Sequence, residues 1–221
     1  MNATPPASGA AFVRVEETLL PGHAVRSALY LGLQAPGVGG RLARWGGALA
    51  AAPAAAVLAL GDRRRLRRLA GLALAGLTRD RVEELSREYY ERFLAGALRP
   101  DGLAVLERAR AADLRVVLFS RGLARCLEPL AAELGADALV ASEPEYRDGV
   151  ATGRLLEPEP EWAAELARRE RIQLSASYAY GADLADLALL EAVGFPCAVN
   201  PDPALRRRAR DAGWPVLAVR G

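Results

Sequence analysis

The segment Arg14-Val15-Glu16-Glu17-Thr18-Leu19-Leu20 stands at the end of the first strand signal in the chain. It overlaps the run Ala11 to Val15, whose aliphatic, aromatic and β-branched residues are typical of a buried strand. From about Leu20 to Pro100 the sequence carries only helical signal, including Arg79 to Phe93 behind Thr78, a suitable N-cap. A strand that ends in a polar segment and leads directly into a long helical stretch predicts a sheet interrupted by a helical insertion.

The rest of the chain alternates strand signals with helical signals. The strand signals are Arg115 to Phe119, Ala138 to Ala141, Tyr178 to Gly181, Cys197 to Asn200 and Pro215 to Val219. The helical patterns are Leu103 to Ala112, Leu123 to Leu134, Trp162 to Glu170, Leu184 to Val193 and Pro203 to Ala212. This alternation predicts an α/β fold with a doubly wound parallel sheet, whose ligand crevice lies at the carboxyl ends of the strands. Within Glu143 to Leu155, Arg147-Asp148-Gly149 indicates a tight turn between two short strands.

The composition excludes several classes of protein. Hydrophobic residues make up 52% of the 221 and charged residues 25%, which is typical of a globular chain and not of a disordered one. A formal net charge of +2 is too small to indicate nucleic-acid binding, so we expect no nucleic-acid partner. The cysteines, Cys126 and Cys197, have neither metal nor redox spacing, and we expect a reducing, cytoplasmic location.

Three segments bear on membrane contact. Met1 to Ala10 lacks a basic head followed by an apolar stretch, so we expect no secretory signal. Trp45 to Leu60 falls short of the roughly 20 residues of a membrane span, which favours a buried or surface helix. A basic cluster follows, made of Arg63, Arg64, Arg65, Arg67 and Arg68. It is interpreted either as a solvated helix of the insertion, which we favour, or as a helix that makes weak contact with an anionic membrane surface or a partner.

The segment Arg14 to Leu20 resembles the first motif of the haloacid-dehalogenase-like (HAD) phosphatases, Asp-x-Asp-Gly-Thr-Leu-Leu. The resemblance continues in order through Val116 to Ser120, Leu127 to Leu130, Leu134 to Asp137, Asp148-Gly149, Thr152 to Arg154, Tyr178 to Gly181, Leu190 to Gly194, Asn200 to Leu205 and Gly213 to Leu217. It covers nearly the whole chain and is strongest to the phosphoserine-phosphatase-like branch. It implies a Rossmann-like core of residues 1–20 and 100–221, with a helical cap of residues 21–99 inserted after the first strand.

For an active member the resemblance implies a Mg-dependent phosphomonoesterase, in which the first Asp attacks phosphorus and the second is the general acid and base. Arg14 replaces the nucleophile, and a guanidinium that stays protonated has no lone pair to offer phosphorus. Glu16 takes the acid–base position and keeps a carboxylate on a longer side chain. Thr18 and Ser120 match the hydroxyls that hold the substrate phosphate, although caps of the following turns are an equally good interpretation.

The other two motifs are also altered. The family's third motif supplies a lysine, but Trp162 stands at the position that matches it, and all 29 basic residues of the chain are arginine. The metal motif, Gly-Asp-Ser-x-x-Asp, becomes Gly181-Ala182-Asp183-Leu184-Ala185-Asp186, so Asp183 and Asp186 remain as a weak or lost Mg site.

These replacements suggest that a guanidinium takes the place of the metal. A magnesium ion at this position loses two anionic ligands and meets a fixed cation, which is unfavourable for an ion that prefers oxygen donors. We therefore expect Arg14 to fill the vacated metal site and to pair with Glu16, Asp183 or Asp186. A guanidinium there replaces part of the metal's charge and keeps the carboxylates from being buried unpaired.

Two functions follow from the resemblance. The first is a catalytically degenerate homologue, a pseudophosphatase that binds or regulates without a cofactor and recognises a small phosphorylated or acidic ligand through Arg14, Thr18 and Ser120. The alternative is a Mg-dependent phosphomonoester hydrolase with an altered site, in which Asp183 and Glu16 activate water. We favour the first, because the lost nucleophile, lysine and metal ligand are each usually worth about a hundredfold or more in rate.

Overall fold

The structure, a computed structural model, describes residues 9–22, 25–34 and 63–219, with residues 63–67 described by their backbone alone. Within these residues the strands are β1 (Ala10–Arg14), β2 (Arg115–Leu123), β3 (Ala138–Arg147), β4 (Val150–Leu156), β5 (Tyr178–Gly181), β6 (Phe195–Val199) and β7 (Val216–Leu217). They form one sheet in the order β4-β3-β2-β1-β5-β6-β7. β2, β3 and β4 extend the sheet on one side of β1, and β5, β6 and β7 extend it on the other, as expected for a doubly wound sheet. The predicted α/β fold class is confirmed.

The sheet is parallel apart from β4. β1 lies at its centre, parallel to β2 and β5, and all five of its residues are buried, which is typical of a sheet covered on both faces. β3 and β4 form an antiparallel hairpin in which Arg147 pairs with Val150. Asp148 and Gly149 connect them with φ of 51° and 78°, the conformation that a tight two-residue hairpin turn requires. The turn predicted at Arg147-Asp148-Gly149 is therefore confirmed.

Helices cover both faces of the sheet. They are α1 (Arg26–Leu33), α2 (Arg63–Ala73), α3 (Arg79–Tyr89), α4 (Pro100–Ala111), α5 (Ala124–Glu133), α6 (Trp162–Glu170), α7 (Leu187–Ala192) and α8 (Pro203–Asp211). The helix predicted over Leu184 to Val193 begins as a 3₁₀ turn, Leu184–Asp186, because the Asp183 side chain accepts a hydrogen bond from Ala185 N and caps that turn. The α-helix predicted over Arg79 to Phe93 ends at Tyr89 and continues as one π-helical turn.

The regular elements described between β1 and α4 are all helices. α1 packs against α2 and α3, and α3 also packs on α5. Tyr30, Tyr89 and Phe93 hold these helices together, with ring centroids 5.2 to 5.4 Å apart. α2 approaches β4 so closely that a Cβ on Gly71 would lie 2.7 Å from Gly153 O. The division of the chain into a core and a cap of residues 21–99 stays a prediction.

The chain returns from these helices directly onto the first motif. Arg99 N donates a hydrogen bond to Leu19 O, and a Cβ on Gly102, in the first turn of α4, would lie 2.3 Å from Thr18 O. Only a glycine allows the helix to approach this closely without a shift of the backbone. The start of α4 therefore fixes the segment that follows β1, where the predicted site residues lie.

The apolar segment and the basic cluster that bear on membrane contact are only partly described by the structure. Trp45 to Leu60 lies outside the described residues, as do the side chains of Arg63, Arg64, Arg65 and Arg67, while Arg68 is exposed on α2. Within the described ranges, every helix is too short or too polar to cross a bilayer. The contact predicted for the basic cluster stays a prediction.

Candidate functional site

Residues of three neighbouring strands meet at the carboxyl edge of the sheet. β1 ends at Arg14, which pairs in register with Phe119, so Ser120 lies one residue further along β2. On the other side of β1, β5 ends at Gly181. Because the carboxyl ends of parallel strands open on the same edge, the polar residues at or beyond the paired part of these strands come together there.

The segment after β1 folds into a tight turn. Leu19 N and Leu20 N both donate to Val15 O, at 3.0 and 2.9 Å, and Glu17 takes a positive φ of 66°. This turn brings Glu16 back beside Arg14, so that Arg14 Nε lies 3.4 Å from Glu16 Oε2.

The Arg14 guanidinium lies among three carboxyl groups. Its Nη1 donates to Asp186 Oδ1 and Oδ2 at 2.6 and 2.5 Å, and its Nη2 lies 3.0 Å from Asp183 Oδ2. With the contact to Glu16, each nitrogen of the guanidinium faces a different carboxylate. Arg14 is only 6% exposed, and all three acidic residues are buried too. The structure thus brings together Arg14, Glu16, Asp183 and Asp186, which the sequence predicted to pair.

Electrostatics keeps Arg14 and Asp183 charged. Burial by itself lowers the pKa of Arg14, but the carboxylates of Asp186, Glu16 and Asp183 raise the pKa above its ordinary value, so the guanidinium stays protonated. For Asp183 burial raises the pKa, but Arg14 and then Arg121 outweigh this and lower it to about 2. Arg14 and Asp183 therefore form an ion pair at neutral pH.

Arg121 is a second cation of the site, which the sequence analysis missed. Its Nη1 lies 3.0 Å from Asp183 Oδ1 and 3.6 Å from Asp186 Oδ1, and its Nη2 donates to Ala185 O at 3.0 Å. The sequence contained one indication of this role: Arg121 directly follows Ser120, at the edge of the sheet where the site was predicted, in a chain whose basic residues are all arginine. The cluster thus contains two guanidinium groups and three carboxyl groups.

The backbone holds Asp186 and Asp183 in place. Asp186 Oδ2 accepts hydrogen bonds from Ala182 N and Asp183 N, at 2.9 and 3.2 Å, and Asp183 Oδ1 accepts one from Ala185 N. Both carboxylates therefore combine backbone hydrogen bonds with contacts to Arg14. Such a fixed arrangement resists rearrangement around a metal ion.

The two hydroxyls predicted to bind phosphate are enclosed. Ser120 Oγ donates to Glu16 Oε1 at 2.6 Å and accepts from Gly122 N at 2.8 Å, so both roles of the hydroxyl are used within the protein. Thr18 is fully buried, and its Oγ1 has no hydrogen-bond partner within the described part of the chain. Neither hydroxyl is available to a ligand in this conformation.

Little space remains around Arg14. A cavity of about 30 Å³ is lined by Arg14, Ser120, Arg121, Trp162 and Asp186 together with apolar side chains. A second cavity, next to Glu16, has only about 10 Å³. Such volumes hold about one or two water molecules, whereas ligand pockets usually measure about 300–1,000 Å³.

Trp162, which the sequence analysis aligned with the family lysine, closes one side of the larger cavity. Its indole packs edge-on against Phe12, with centroids 5.8 Å apart, and against Phe119 at 5.6 Å. These contacts anchor the ring in the apolar layer beneath the site. An aromatic ring in this position supplies no ammonium charge.

The side chains of the site do not fit a magnesium ion. Mg²⁺ needs oxygen ligands in octahedral geometry at about 2.0–2.1 Å. Here the N–H groups of Arg14 cover the oxygens of Asp186 and Asp183 that a metal would contact. Across residues 9–22, 25–34 and 63–219, no group of three or more His, Cys, Asp or Glu side chains is arranged to hold a metal ion.

Comparison with known families identifies the fold and its motifs. A family model of the haloacid dehalogenase-like hydrolases matches residues 15–191, which is most of the chain. The chain belongs to this family. The resemblance to the HAD phosphatases is thereby confirmed, and the match includes Glu16, Asp183 and Asp186.

Relatives of this HAD chain include named proteins of bacteria. A protein of Streptomyces azureus named "Inhibition of morphological differentiation protein" is 34% identical over 159 residues, which cover 69% of this chain and 57% of that protein. A probable phosphatase of Mycobacterium tuberculosis is 38% identical over 108 residues, which cover 47% of this chain and 38% of the relative. The aligned part therefore spans about 38–57% of the length of these relatives.

Solved structures of low identity share the HAD fold. A Bordetella pertussis Tohama I protein of unknown function has a TM-score of 0.72 at 23% identity, and the match covers 96% of this chain and 98% of the other. A phosphoserine phosphatase with an analogue of the phospho-aspartyl intermediate has a TM-score of 0.64 at 14% identity, with 96% and 93% coverage. These likenesses support the fold and carry no conclusion about activity.

The ion pairs of Asp183 predict a loss of stability in acid. A lowered pKa means that the folded state binds fewer protons than the unfolded state, so the contribution is present above pH 3.8 and lost as pH falls towards about 2. We expect Asp183 to account for about 2 kcal/mol of the decrease in unfolding free energy between pH 5 and pH 2. Urea denaturation across this range gives the unfolding free energy as a function of pH. This free energy should fall less steeply towards acid for Asp183→Asn than for the unmodified protein or for Asp211→Asn, an exposed control. If the unfolding free energy of all three proteins fell equally with pH, the ion pairs of Asp183 would not contribute to stability as predicted.

Proposed function

We propose that this chain is a catalytically degenerate HAD phosphatase homologue, a pseudophosphatase that acts by binding or regulation. The observation that carries this proposal is the position of the Arg14 guanidinium, buried between Asp183, Asp186 and Glu16 at the end of β1. The family mechanism requires a nucleophilic carboxylate at this position. A protonated guanidinium cannot attack phosphorus, and here its Nη1 and Nη2 are engaged with Asp186 and Asp183.

Three further features support the proposal. Asp183 and Asp186, the remaining residues of the metal motif, are paired with Arg14 and Arg121. Trp162 replaces the lysine, so no ammonium group neutralises a phosphate. The cavity beside Arg14 is about tenfold smaller than the lower limit for ligand pockets. The nucleophile, the metal site and the phosphate-binding group of the family are each altered. Any one of these losses alone would greatly slow phosphomonoester hydrolysis.

The prediction that Arg14, Thr18 and Ser120 bind a phosphorylated ligand is disfavoured by this geometry. Arg14 is surrounded by carboxylates, Ser120 donates to Glu16, and Thr18 is buried. A phosphate dianion entering this cluster would meet three carboxyl groups and would have to displace their ion pairs. Any regulatory ligand is therefore expected to bind elsewhere on the molecule.

A regulatory role is in line with one relative's name. The Streptomyces azureus protein is named for inhibition of morphological differentiation, and we extend only the idea of regulation to this chain.

The alternative is a phosphomonoester hydrolase that works with an altered site. Two observations favour it: relatives are named phosphatases, and Glu16 Oε2, which lies 3.4 Å from Arg14 Nε, accepts no hydrogen bond within the described residues. Water activation by Glu16 would still lack a metal ion and a lysine to bind the phosphate. We therefore prefer the non-catalytic function.

Metal titration tests the proposal without measuring turnover. Because Arg14 covers the oxygens of Asp183 and Asp186, we expect isothermal titration calorimetry with MgCl₂ or MnCl₂ to show no saturable binding below about 10 mM, weaker than the weakest extracellular calcium modules. The matched control is Asp186→Asn, which removes a carboxylate of the candidate site. Saturable binding to the unmodified protein that this substitution abolishes would support the hydrolase alternative.

A further inference from the structure

β7 is an edge strand, and its outer side is open in the part of the chain that the structure describes. The strand pairs with β6 in parallel, and the strand order ends with it. Val216 is 46% exposed and Leu217 36%, and Ala218, which follows them, is exposed too. The outer side of an edge strand carries backbone groups with which another strand can pair.

The hydrogen bonds to β6 show which backbone groups of this edge point outwards. Pro215 O and Leu217 O each accept a hydrogen bond of 2.9 Å from a backbone N–H on the β6 side. Because consecutive residues of a strand direct their N–H and C=O groups to opposite sides, those of Val216 and Ala218 point away from β6. Neither residue has a hydrogen-bond partner on that side among the described residues. The edge therefore offers two donors and two acceptors.

The local sequence leaves this edge able to pair. The chain stays alongside β6 beyond Leu217, because the Asn200 side chain bonds to Val219 N and O at 3.1 and 2.9 Å. Residues 213–219 contain no charged side chain, whereas exposed sheet edges are commonly protected by charges. Pro215 faces β6, so its missing N–H does not interrupt the outer side.

A second copy of the chain matches this edge in one antiparallel register. When Leu217 of both copies lies on a two-fold axis, Val216 of each copy lies opposite Ala218 of the other. Opposite residues whose backbone groups face each other exchange two hydrogen bonds, so the two pairs together form four and satisfy every outward group. The two Leu217 residues form a non-hydrogen-bonded pair, in which side chains lie closest. The edge is thus self-complementary, as a two-fold interface requires.

We propose that the chain forms a weak symmetric homodimer through antiparallel pairing of β7, which joins the two sheets into one. Interfaces that bury less than about 1,200 Å² are usually transient, and so short a strand buries little, so we expect a dissociation constant on the order of 100 µM. A foreign extended segment needs no two-fold axis, so the register at Leu217 distinguishes it from a second copy. β7 lies three positions from β1 in the sheet, and the dimer does not depend on the proposed function.

Disulfide trapping at the two-fold axis tests the register. In the Leu217→Cys variant the introduced thiols lie on Cα atoms about 4.5 Å apart, which a disulfide can bridge when oxidised glutathione is the oxidant. The native cysteines, Cys126 and Cys197, are buried. The control is Val150→Cys on β4, the opposite edge strand, where the native residue is 39% exposed. We expect Leu217→Cys to form covalent dimer at least about tenfold faster. Equal rates for the two variants would overturn the proposal.

Sedimentation equilibrium measures the association without a cross-link. Between about 10 and 500 µM the average mass of the unmodified protein should rise from 23.5 kDa towards twice this value. Ala218→Pro removes an outward N–H, and Leu217→Lys places two like charges at the axis, so each should weaken association at least about tenfold. Val150→Lys adds the same charge to the opposite edge and should associate as the unmodified protein does.

Melting curves separate loss of the dimer from loss of the fold. The outward N–H of Ala218 makes no hydrogen bond within the described residues, so Ala218→Pro should melt as the unmodified monomer does. A mass of 23.5 kDa at every concentration would overturn the proposal, and so would association that both β7 variants retain.

Discussion

Replacing Arg14 with alanine is expected to lower the free energy of unfolding by about 3–5 kcal/mol at neutral pH. The substitution leaves Asp186, Asp183 and Glu16 buried with Arg121 as the remaining cation of the cluster. Removing one partner of a buried pair is strongly destabilising because the other charge stays desolvated. Urea denaturation at pH 7 measures the loss.

A surface ion pair provides the control for this experiment. Arg115 lies on β2 and pairs with Glu170 at 3.2 Å, but both side chains are about one third exposed. Arg115→Ala should therefore cost less than about 1 kcal/mol. If Arg14→Ala destabilised the protein no more than Arg115→Ala, the carboxylate cluster would not depend on the guanidinium.

Restoring the family's acidic residues should make folding depend on magnesium. The double substitution Arg14→Asp, Ala182→Asp removes one cation and adds two carboxylates to a cluster that already has three against two guanidinium groups. In EDTA this excess of buried negative charge should lower the melting temperature well below that of the unmodified protein. A bound Mg²⁺ offsets it, and at a hundredfold excess over Kd the metal stabilises the folded state by about 2.7 kcal/mol.

Thermal denaturation in EDTA and in 10 mM MgCl₂ measures this effect. The control is Ala182→Asp alone, which keeps Arg14 over the carboxylates and should respond much less to Mg²⁺. A double variant that is unfolded in EDTA should regain a cooperative transition when Mg²⁺ is added. Identical melting curves in the two buffers, for single and double variant alike, would contradict the view that Arg14 takes the place of the metal.

The sequence predicted the fold because its signals are local. Runs such as Arg115 to Phe119 and helices such as Trp162 to Glu170 alternate along the chain, and residues 100–219 keep this pattern in the structure. The pairing of Arg14 with acidic residues was also predictable, because the ends of neighbouring parallel strands must meet. These conclusions required only the order of the elements and the residue types at their ends.

Other features of the site depend on tertiary packing. Arg121 could not be assigned, because its contact with Asp183 requires the path of β2 beyond Ser120 relative to the turn after β5. The hydrogen bond from Ser120 to Glu16 depends on how the turn after β1 is placed, which the approach of α4 at Gly102 helps to fix. Local sequence patterns carry no information about such distances.

The size of the cavities was likewise beyond sequence analysis. The volume next to Glu16 is set partly by Tyr89 and Leu94, which come from the inserted helices, and by Leu127 on α5. The order of the motifs gives no measure of how closely these elements pack.

The most direct test of the central claim is the rate at which the unmodified protein hydrolyses p-nitrophenyl phosphate in the presence of MgCl₂. Because Arg14 cannot act as a nucleophile and covers the remaining carboxylates of the metal motif, we expect a rate indistinguishable from that of Asp183→Ala and from buffer. Metal-dependent turnover by the unmodified protein that Asp183→Ala abolishes would show instead that the site is a working hydrolase.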